Sequence, residues 1–126
     1  MMASTEDLGG CTLDLLSPED VKAKLDNQEI VLIDVRTPVE YAFEHIHGAM
    51  LFPMSSFDAK NLPGQGDKRL VFHCGSGIRS KKIAERCAAA GFDRIAHMEG
   101  GFGAWKNAGL PYLAIDPASG SVTRKP

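Results

Sequence analysis

Two short, nearly continuous apolar runs constrain the fold of this chain more than any other feature. They are IVLIDV (30–35) and LVFHC (70–74). Such runs are typical of strands buried on both faces, as in a parallel sheet covered by helices. Three further short strands are predicted by TLDLL (12–16), MLF (50–52) and RIAHM (94–98). The sequence therefore predicts a central, mostly parallel sheet of about five strands.

Helical segments are predicted between these strands. Ser17 is placed to cap a helix that has Pro18 in its first turn and acidic residues after it. The other helices are expected over 38–44, 80–90 and 102–109. Alternating strands and helices specify an α/β fold of three layers, with helices on both faces of the sheet. In such folds ligands bind at the carboxyl ends of the strands, which here carry Asp34 and Cys74.

The 126 residues fit one domain, which we expect to span 11–113. Residues 1–10 are polar and aperiodic, and they predict a flexible N-terminus. Residues 114–126 end in ASGSVTRKP and predict a flexible C-terminal tail. The sequence thus predicts that both ends lie outside the folded domain.

Charge and composition exclude several functional classes. A net charge of -2 argues against nucleic-acid binding, and no apolar run approaches the length of a membrane span. The opening MMASTEDLGG is acidic and lacks the apolar core of a secretory signal. Three cysteines without a C-x-x-C pair favour a reducing compartment and a reactive thiol. We therefore expect a cytoplasmic monomer without nucleic-acid or membrane partners.

The segment after LVFH carries the clearest chemical signal. Its loop, CGSGIR (74–79), joins a strand to a helix. Gly75 and Gly77 allow successive backbone N–H groups to converge on an anion, and the following helix start adds its positive dipole end. Arg79 adds a fixed charge. These features predict a Cys74 thiol whose pKa lies below its ordinary value. The adjacent His73 points to the opposite face of the strand and is not its base.

Three segments together resemble the rhodanese family. CGSGIRS resembles its active-site loop, C-x-x-G-x-R followed by Ser or Thr. LIDVRTPVEYAFEHIHGAMLFP (32–53) resembles its D-V-R and H-I-x-G-A block, although Glu44 and His47 depart from the usual residues. EGGFGAWKNAGLP (99–111) resembles its G-G-x-x-x-W block. The resemblance covers 11–113, and the three blocks together are specific.

This resemblance implies a sulfurtransferase that works without a metal or an organic cofactor. Cys74 is then the nucleophile that carries sulfur as a persulfide. The residues implied to cradle the substrate anion are Gly75, Ser76, Gly77, Ile78 and Arg79. The donor is thiosulfate or a similar sulfane compound, and the acceptor is cyanide, a small thiol or a protein thiol. Sequence does not separate these donors and acceptors.

Two other functions remain open. Cysteine-dependent phosphatases and arsenate reductases on this scaffold carry C-x5-R, whereas Cys74 to Arg79 is C-x4-R. The shorter loop suits a single sulfur atom better than a tetrahedral phosphate. A binding module that has lost its chemistry is opposed by the intact cysteine and arginine. Lys81 and Lys82 either draw anions to the loop or form a solvated helix face.

The remaining candidates receive structural interpretations. Cys87 is expected to be a buried packing thiol, and Cys11, near the N-terminus, to have no role. Trp105 is expected to anchor the core. Asp34 and Arg36 are expected to support the loop, with Arg36 paired to Glu40. His97 receives no special role, and the pair His45 and His47 lacks the further ligands of a zinc site.

Overall fold

The computed structural model describes residues 4–126, which form nine strands and four α-helices. The strands are β1 (Ser4–Asp7), β2 (Thr12–Leu16), β3 (Ile30–Asp34), β4 (Glu44–His45), β5 (Met50–Leu51), β6 (Arg69–His73), β7 (Arg94–Met98), β8 (Tyr112–Ile115) and β9 (Val122–Lys125). The helices are α1 (Pro18–Asp26), α2 (Pro38–Phe43), α3 (Ile78–Ala89) and α4 (Gly101–Asn107).

The main sheet has six strands in the order β1-β2-β7-β6-β3-β5. Strands β2, β7, β6, β3 and β5 run parallel to one another, and β1 pairs antiparallel with β2. This arrangement confirms the predicted mostly parallel sheet and adds one edge strand to it. Because β6 is central, its carboxyl end lies beside the ends of β3 and β7, where a ligand site is expected.

Two apolar clusters cover the two faces of this sheet. One contains Ile83 and Cys87 of α3 packed with Leu13, Phe72 and Ile95 of the sheet. The other cluster joins α1 and α4 to the opposite face, through Val21, Leu32, Val71, Phe102 and Trp105. The helices therefore lie on both faces, which completes the three predicted layers.

The predicted helix starts agree with the structure for α1 and differ for α3. Ser17 caps α1 by accepting a hydrogen bond from the Asp20 N–H at 3.0 Å. Helix α3 begins at Ile78 rather than near Ser80, because Gly77 turns the chain in a left-handed conformation with φ of 101°. Ile78 and Arg79, which the sequence predicted to lie in the loop, therefore belong to the first turn of α3.

Both chain ends, which the sequence predicts to be flexible, contain strands where the structure describes them. Within the range 1–10, Ser4–Asp7 forms β1, and the first three residues lie outside the described part. Within 114–126, Val122–Lys125 forms β9, which pairs with β8 and, through it, with β4 in a second sheet. Backbone pairing fixes these strands even though β9 is exposed and has no apolar pattern. The domain limits of 11–113 stay a prediction.

None of the helices described between residues 4 and 126 has the length and hydrophobicity needed to cross a membrane.

Candidate active site

Cys74 lies at the carboxyl end of the central strand β6 and is fully buried. The chain leaves the strand at this residue, turns through Gly75, Ser76 and Gly77, and enters α3. The loop that the sequence predicted is therefore the turn between β6 and α3. Gly75 and Gly77 are partly buried, whereas Ser76 and Ile78 face solvent.

The sulfur of Cys74 accepts hydrogen bonds from two backbone N–H groups. Gly77 N lies 3.1 Å from Sγ, and Ser80 N lies 3.3 Å from it. Ser80 is the third residue of α3. The N-cap residue of this helix is Gly77, which has no side chain that could cap it. In α1 and α2 the N–H at the third position donates to a serine or threonine oxygen. The sulfur atom thus takes the place of the usual capping oxygen.

The pKa of Cys74 lies below its ordinary value, in the direction that the sequence predicted. Burial of the thiol acts the other way and raises the pKa, but it is outweighed by hydrogen bonds that stabilise the thiolate. These come from the backbone N–H groups of Ser80, Ser76 and Gly77 and from the Ser80 hydroxyl. The loop amides and Ser80 therefore favour ionisation, and a histidine directly beside the sulfur is not needed.

A chain of polar atoms leads away from the sulfur into the protein. Ser80 Oγ lies 3.7 Å from Cys74 Sγ, 2.8 Å from His97 Nδ1 and 3.2 Å from the Gly77 carbonyl oxygen. Both Ser80 and His97 are buried. Burial lowers the pKa of His97. This chain joins the loop to β7, the neighbouring strand.

Arg79 interacts with Cys74 through charge: its pKa is raised chiefly by the hydrogen bond with Glu40 and also by Cys74, so the guanidinium in turn favours the thiolate. Its guanidinium forms a two-pronged ion pair with Glu40 of α2, at 2.8 and 3.0 Å. The pair lowers the pKa of Glu40 to about 2, chiefly through the hydrogen bond from Arg79. A Cβ on Gly75 would lie 3.2 Å from Arg79 Nη2, so the charge lies over the loop. Arg79 and Glu40 are each about one-third exposed, at 35% and 37%.

The expected pair of Arg36 with Glu40 is corrected by the structure. Arg36 instead binds Asp34, with Nη2 and Oδ2 2.7 Å apart, and it donates to the Glu44 carbonyl oxygen. Arg36 and Asp34 are both buried, and His73 Nε2 lies 3.5 Å from the same carboxylate. This buried network supports the carboxyl ends of β3 and β6. His73 faces it, as expected for a side chain that points away from the loop.

Helix α4 holds the loop from the other side. The Phe102 N–H donates to the Cys74 carbonyl oxygen at 2.7 Å, and the Gly103 N–H donates to the Gly75 carbonyl oxygen at 3.0 Å. Gly101 makes this approach possible, because a Cβ on it would lie 2.5 Å from the Cys74 oxygen. The first turn of α4 therefore fixes the backbone on which the Cys74 thiol sits.

The other two thiols lie in the apolar cluster beneath α3. Cys87 is fully buried, and burial raises the pKa of its thiol to about 12. Cys11, expected near a flexible end, is also buried there, and burial raises its pKa. Trp105 is fully buried and donates to the Pro111 carbonyl oxygen, as expected of a core anchor.

The two histidines of the H-x-H pair do not share a ligand site. His45 stacks on Tyr41 and makes a 2.8 Å contact with its carbonyl oxygen. Among residues 4–126, no group of three or more His, Cys, Asp or Glu side chains could hold a metal ion. A cavity of about 290 Å³ lies elsewhere, between α1 and β8, and none of the residues 74–79 lines it.

Sequence reasoning missed three contributors to the site. Glu40 was assigned to the wrong arginine, and no role was given to His97 or Gly101. A signal for His97 exists, because it lies two residues after the apolar Ile95 on a strand and therefore points to the same face of the sheet. Gly101 carries a weaker signal, since the second glycine of a Gly-Gly pair before a helix often permits a close backbone approach.

Comparison with known proteins gives a consistent family assignment. The sequence model of the rhodanese-like domain matches residues 17–108. An uncharacterised protein of Synechocystis sp., slr1261, is 34% identical over 110 residues. The probable adenylyltransferase/sulfurtransferase MoeZ of Mycobacterium tuberculosis is 35% identical over 107 residues. A solved structure from Rhodopseudomonas palustris, RPA3614, described as a possible tyrosine phosphatase, is 31% identical with a TM-score of 0.66.

The matches differ in how much of each protein they include. The match to the Synechocystis protein covers 87% of this chain and 62% of that protein. The match to MoeZ covers 79% of this chain but only 26% of MoeZ. The R. palustris alignment covers 76% of this chain and 81% of that one. The chain therefore spans about a quarter of the length of MoeZ.

Proposed function

Since the chain belongs to the rhodanese-like domain family, we propose that it is a sulfurtransferase that carries sulfur on Cys74. The observation that carries the proposal is the Cys74 sulfur, which accepts hydrogen bonds from the N–H groups of Gly77 and Ser80 at the carboxyl end of β6. A thiol so placed is favoured as a thiolate, the form that attacks sulfur.

The proposed reaction is a double displacement. The Cys74 thiolate attacks the outer sulfur of thiosulfate, the sulfur–sulfur bond breaks, and sulfite leaves with the bonding electrons. The product is a persulfide on Cys74, stabilised by the loop N–H groups. A nucleophilic acceptor, cyanide or a thiolate, then attacks the outer sulfur and releases the Cys74 thiolate. No metal or organic cofactor enters either step.

The N–H groups of the loop suit a single outer sulfur atom. The N–H groups of Ile78 and Arg79 lie in the first turn of α3, where no side chain caps the helix. They belong to the positive end of the helix dipole, which favours an anion. Gly75 leaves room for the Arg79 guanidinium, because a Cβ at residue 75 would crowd it. We therefore assign Gly75, Ser76, Gly77, Ile78 and Arg79 to substrate binding.

A phosphatase is the second candidate, because the R. palustris relative is described as a possible tyrosine phosphatase. The loop opposes that function in this chain, since C-x4-R has one residue fewer than the C-x5-R cradle of cysteine-dependent phosphatases. A transferring phosphoryl group has three peripheral oxygens, each of which needs donors. Thiosulfate transfer is therefore the better-supported activity.

Exposure to thiosulfate is expected to add one sulfur atom to the protein, on Cys74, and cyanide is expected to remove it. Intact-mass measurement followed by peptide mapping checks both steps, with aryl phosphate hydrolysis measured in parallel. The proposal fails if no sulfur is added while the protein hydrolyses the phosphate. It also fails if the added sulfur maps to Cys11 or Cys87.

Replacing Arg79 with alanine is expected to raise KM for thiosulfate about tenfold, with a smaller change in kcat. The guanidinium is held over the loop by Glu40, so its loss removes a fixed positive charge from the path of a dianion. Steady-state kinetics check this expectation. Lys24→Ala on α1 is the matched control for the loss of one positive charge. An equal rise in KM in both variants would assign the effect to overall charge.

A further inference from the structure

A buried polar pair lies just behind the reactive sulfur and has no part in the proposed displacement. Ser80 Oγ and His97 Nδ1 are 2.8 Å apart, and both side chains are buried. Ser80 belongs to α3 and His97 to β7, so the pair links the helix above the sheet to the strand beneath it. A buried histidine hydrogen-bonded to a hydroxyl that itself reaches a cysteine needs a chemical explanation.

The Ser80 hydroxyl has more partners than it has protons. Its oxygen lies near the Gly77 carbonyl oxygen, His97 Nδ1 and Cys74 Sγ, at 3.2, 2.8 and 3.7 Å. A hydroxyl donates one proton and accepts through its lone pairs. If Nδ1 is unprotonated, the hydroxyl donates to it, and only a Cys74 S–H can complete the chain. If Nδ1 is protonated, it donates to Oγ, and the hydroxyl proton turns away from the ring, toward the Gly77 carbonyl oxygen or the sulfur.

We propose that His97 is a positioning residue for Cys74: through Ser80, it determines whether the hydroxyl donates toward the sulfur or away from it. The inference rests on the proposed function, in which Cys74 is the nucleophile. It adds a role for a histidine that touches neither the substrate nor the sulfur. His97 acts only through the hydroxyl between them.

The proton movement in this arrangement balances without an outside partner. When Cys74 ionises while Nδ1 is unprotonated, its S–H bond breaks and the proton passes to Ser80 Oγ. The hydroxyl proton passes at the same time to His97 Nδ1, so one N–H bond forms and the hydroxyl is restored. The site gains no net charge, because a thiolate and an imidazolium replace a thiol and a neutral ring. After sulfur leaves Cys74, the same path returns the proton.

The charged groups around His97 come from three elements. Burial is the main influence and lowers the pKa of the ring, Glu6 of β1 raises it, and Lys81 of α3 lowers it. Glu6 and Lys81 form an ion pair with each other at 2.9 Å, so their effects on the ring oppose one another. Cys74 faces the pair from the loop. Burial therefore favours the neutral ring, the form in which Nδ1 can accept a proton.

The first test follows the alkylation of Cys74 by iodoacetamide across a pH series, with the modified residue identified by peptide mapping. In His97→Asn the amide can still hydrogen-bond to Ser80 but cannot take up a proton. We expect Cys74 to react about tenfold more slowly than wild type below pH 7, the effect of a change of one unit in the pKa of a thiol. The two rates should converge at high pH.

His45→Asn is the matched control, because His45 also engages an oxygen through Nδ1 but contacts Tyr41 instead of the loop. It should alkylate as wild type does. Equal rates for His97→Asn and wild type at every pH would overturn the proposal. Alkylation reports on the thiol alone. A protein that shows the expected rates but takes no sulfur from thiosulfate would therefore refute the proposed function and leave this inference standing.

The second test needs no substitution at His97 and decides the matter if His97→Asn does not fold. The ring of His97 is titrated by NMR in wild type and in Cys74→Ser. Coupling between two ionising groups is reciprocal. If a protonated ring lowers the pKa of the Cys74 thiol, the Cys74 thiolate must raise the pKa of the His97 ring by the same amount. We expect a higher titration midpoint in wild type. Equal midpoints in the two proteins would refute the coupling.

Discussion

Replacing Cys74 with serine is expected to abolish sulfur transfer, by at least about a thousandfold in turnover, the scale of loss when a covalent nucleophile is removed. A hydroxyl ionises far less readily than a thiol and cannot form a persulfide. Serine is the sharpest substitution at this position because its oxygen can still accept the Ser80 N–H, so the start of α3 should be preserved. Thiosulfate-to-cyanide turnover and intact mass measure the loss.

Cys87→Ala is the matched control for this substitution. Cys87 lies on α3, the helix that follows Cys74, and is fully buried. Burial raises the pKa of its thiol to about 12. Turnover per folded molecule should stay at the wild-type value, although the small cavity lowers stability. Retained turnover in Cys74→Ser, or its loss in folded Cys87→Ala, would move the sulfur-carrying role away from Cys74.

Gly101→Ala is expected to give the second-largest effect, although Gly101 contacts no substrate. An added Cβ would lie 2.5 Å from the Cys74 carbonyl oxygen, 2.6 Å from Gly75 C and 2.7 Å from Ser76 N. All three neighbours are backbone atoms of the loop, so the loop itself must move. Its N–H groups would then no longer converge on the sulfur. We expect at least about a hundredfold lower turnover, as follows when a catalytic group is misplaced by about an ångström.

Stability measurements separate this crowding from the cost of the backbone conformation. Gly101 has φ of +60°, which costs an alanine about 1–2 kcal/mol, and overpacking adds about 1–3 kcal/mol. Gly109→Ala is the matched control, because Gly109 also has a positive φ, +74°, but a Cβ there meets no atom within 4 Å. It should lose only the conformational part and keep its turnover. Similar losses in both variants would show that crowding of the loop is unimportant.

The parallel core of the fold could be predicted from local sequence patterns. The apolar runs of β3 and β6 have the composition that is typical of strands buried on both faces. Ser17 and Pro18 mark the start of α1. The strands at the chain ends could not be found in this way. β9 is exposed along its whole length, and its structure follows from pairing with β8 rather than from its own residues.

The same distinction applies to the candidate site. The residues from Cys74 to Arg79 are contiguous, so the turn and its glycines could be recognised in the sequence. The side-chain contacts of the loop residues join positions far apart in the chain: Glu40 with Arg79, and His97 with Ser80. Such pairs depend on which helix lies over which strand. Local spacing does not specify this, and it led to the wrong partner for Arg36.

The capping position of the Cys74 sulfur ties the proposed sulfur transfer to the folding free energy of the protein. In most helices the atom that accepts the N–H of the third residue is chemically inert, whereas in α3 it is the sulfur atom that we propose as the nucleophile. A helix cap contributes about 0.5–2 kcal/mol, so each chemical state of the sulfur should have its own melting temperature. Thiol, thiolate, persulfide and alkylated forms differ in how well they accept that N–H. The melting temperature of the protein is therefore a reporter of its sulfur load, without a substrate or a label.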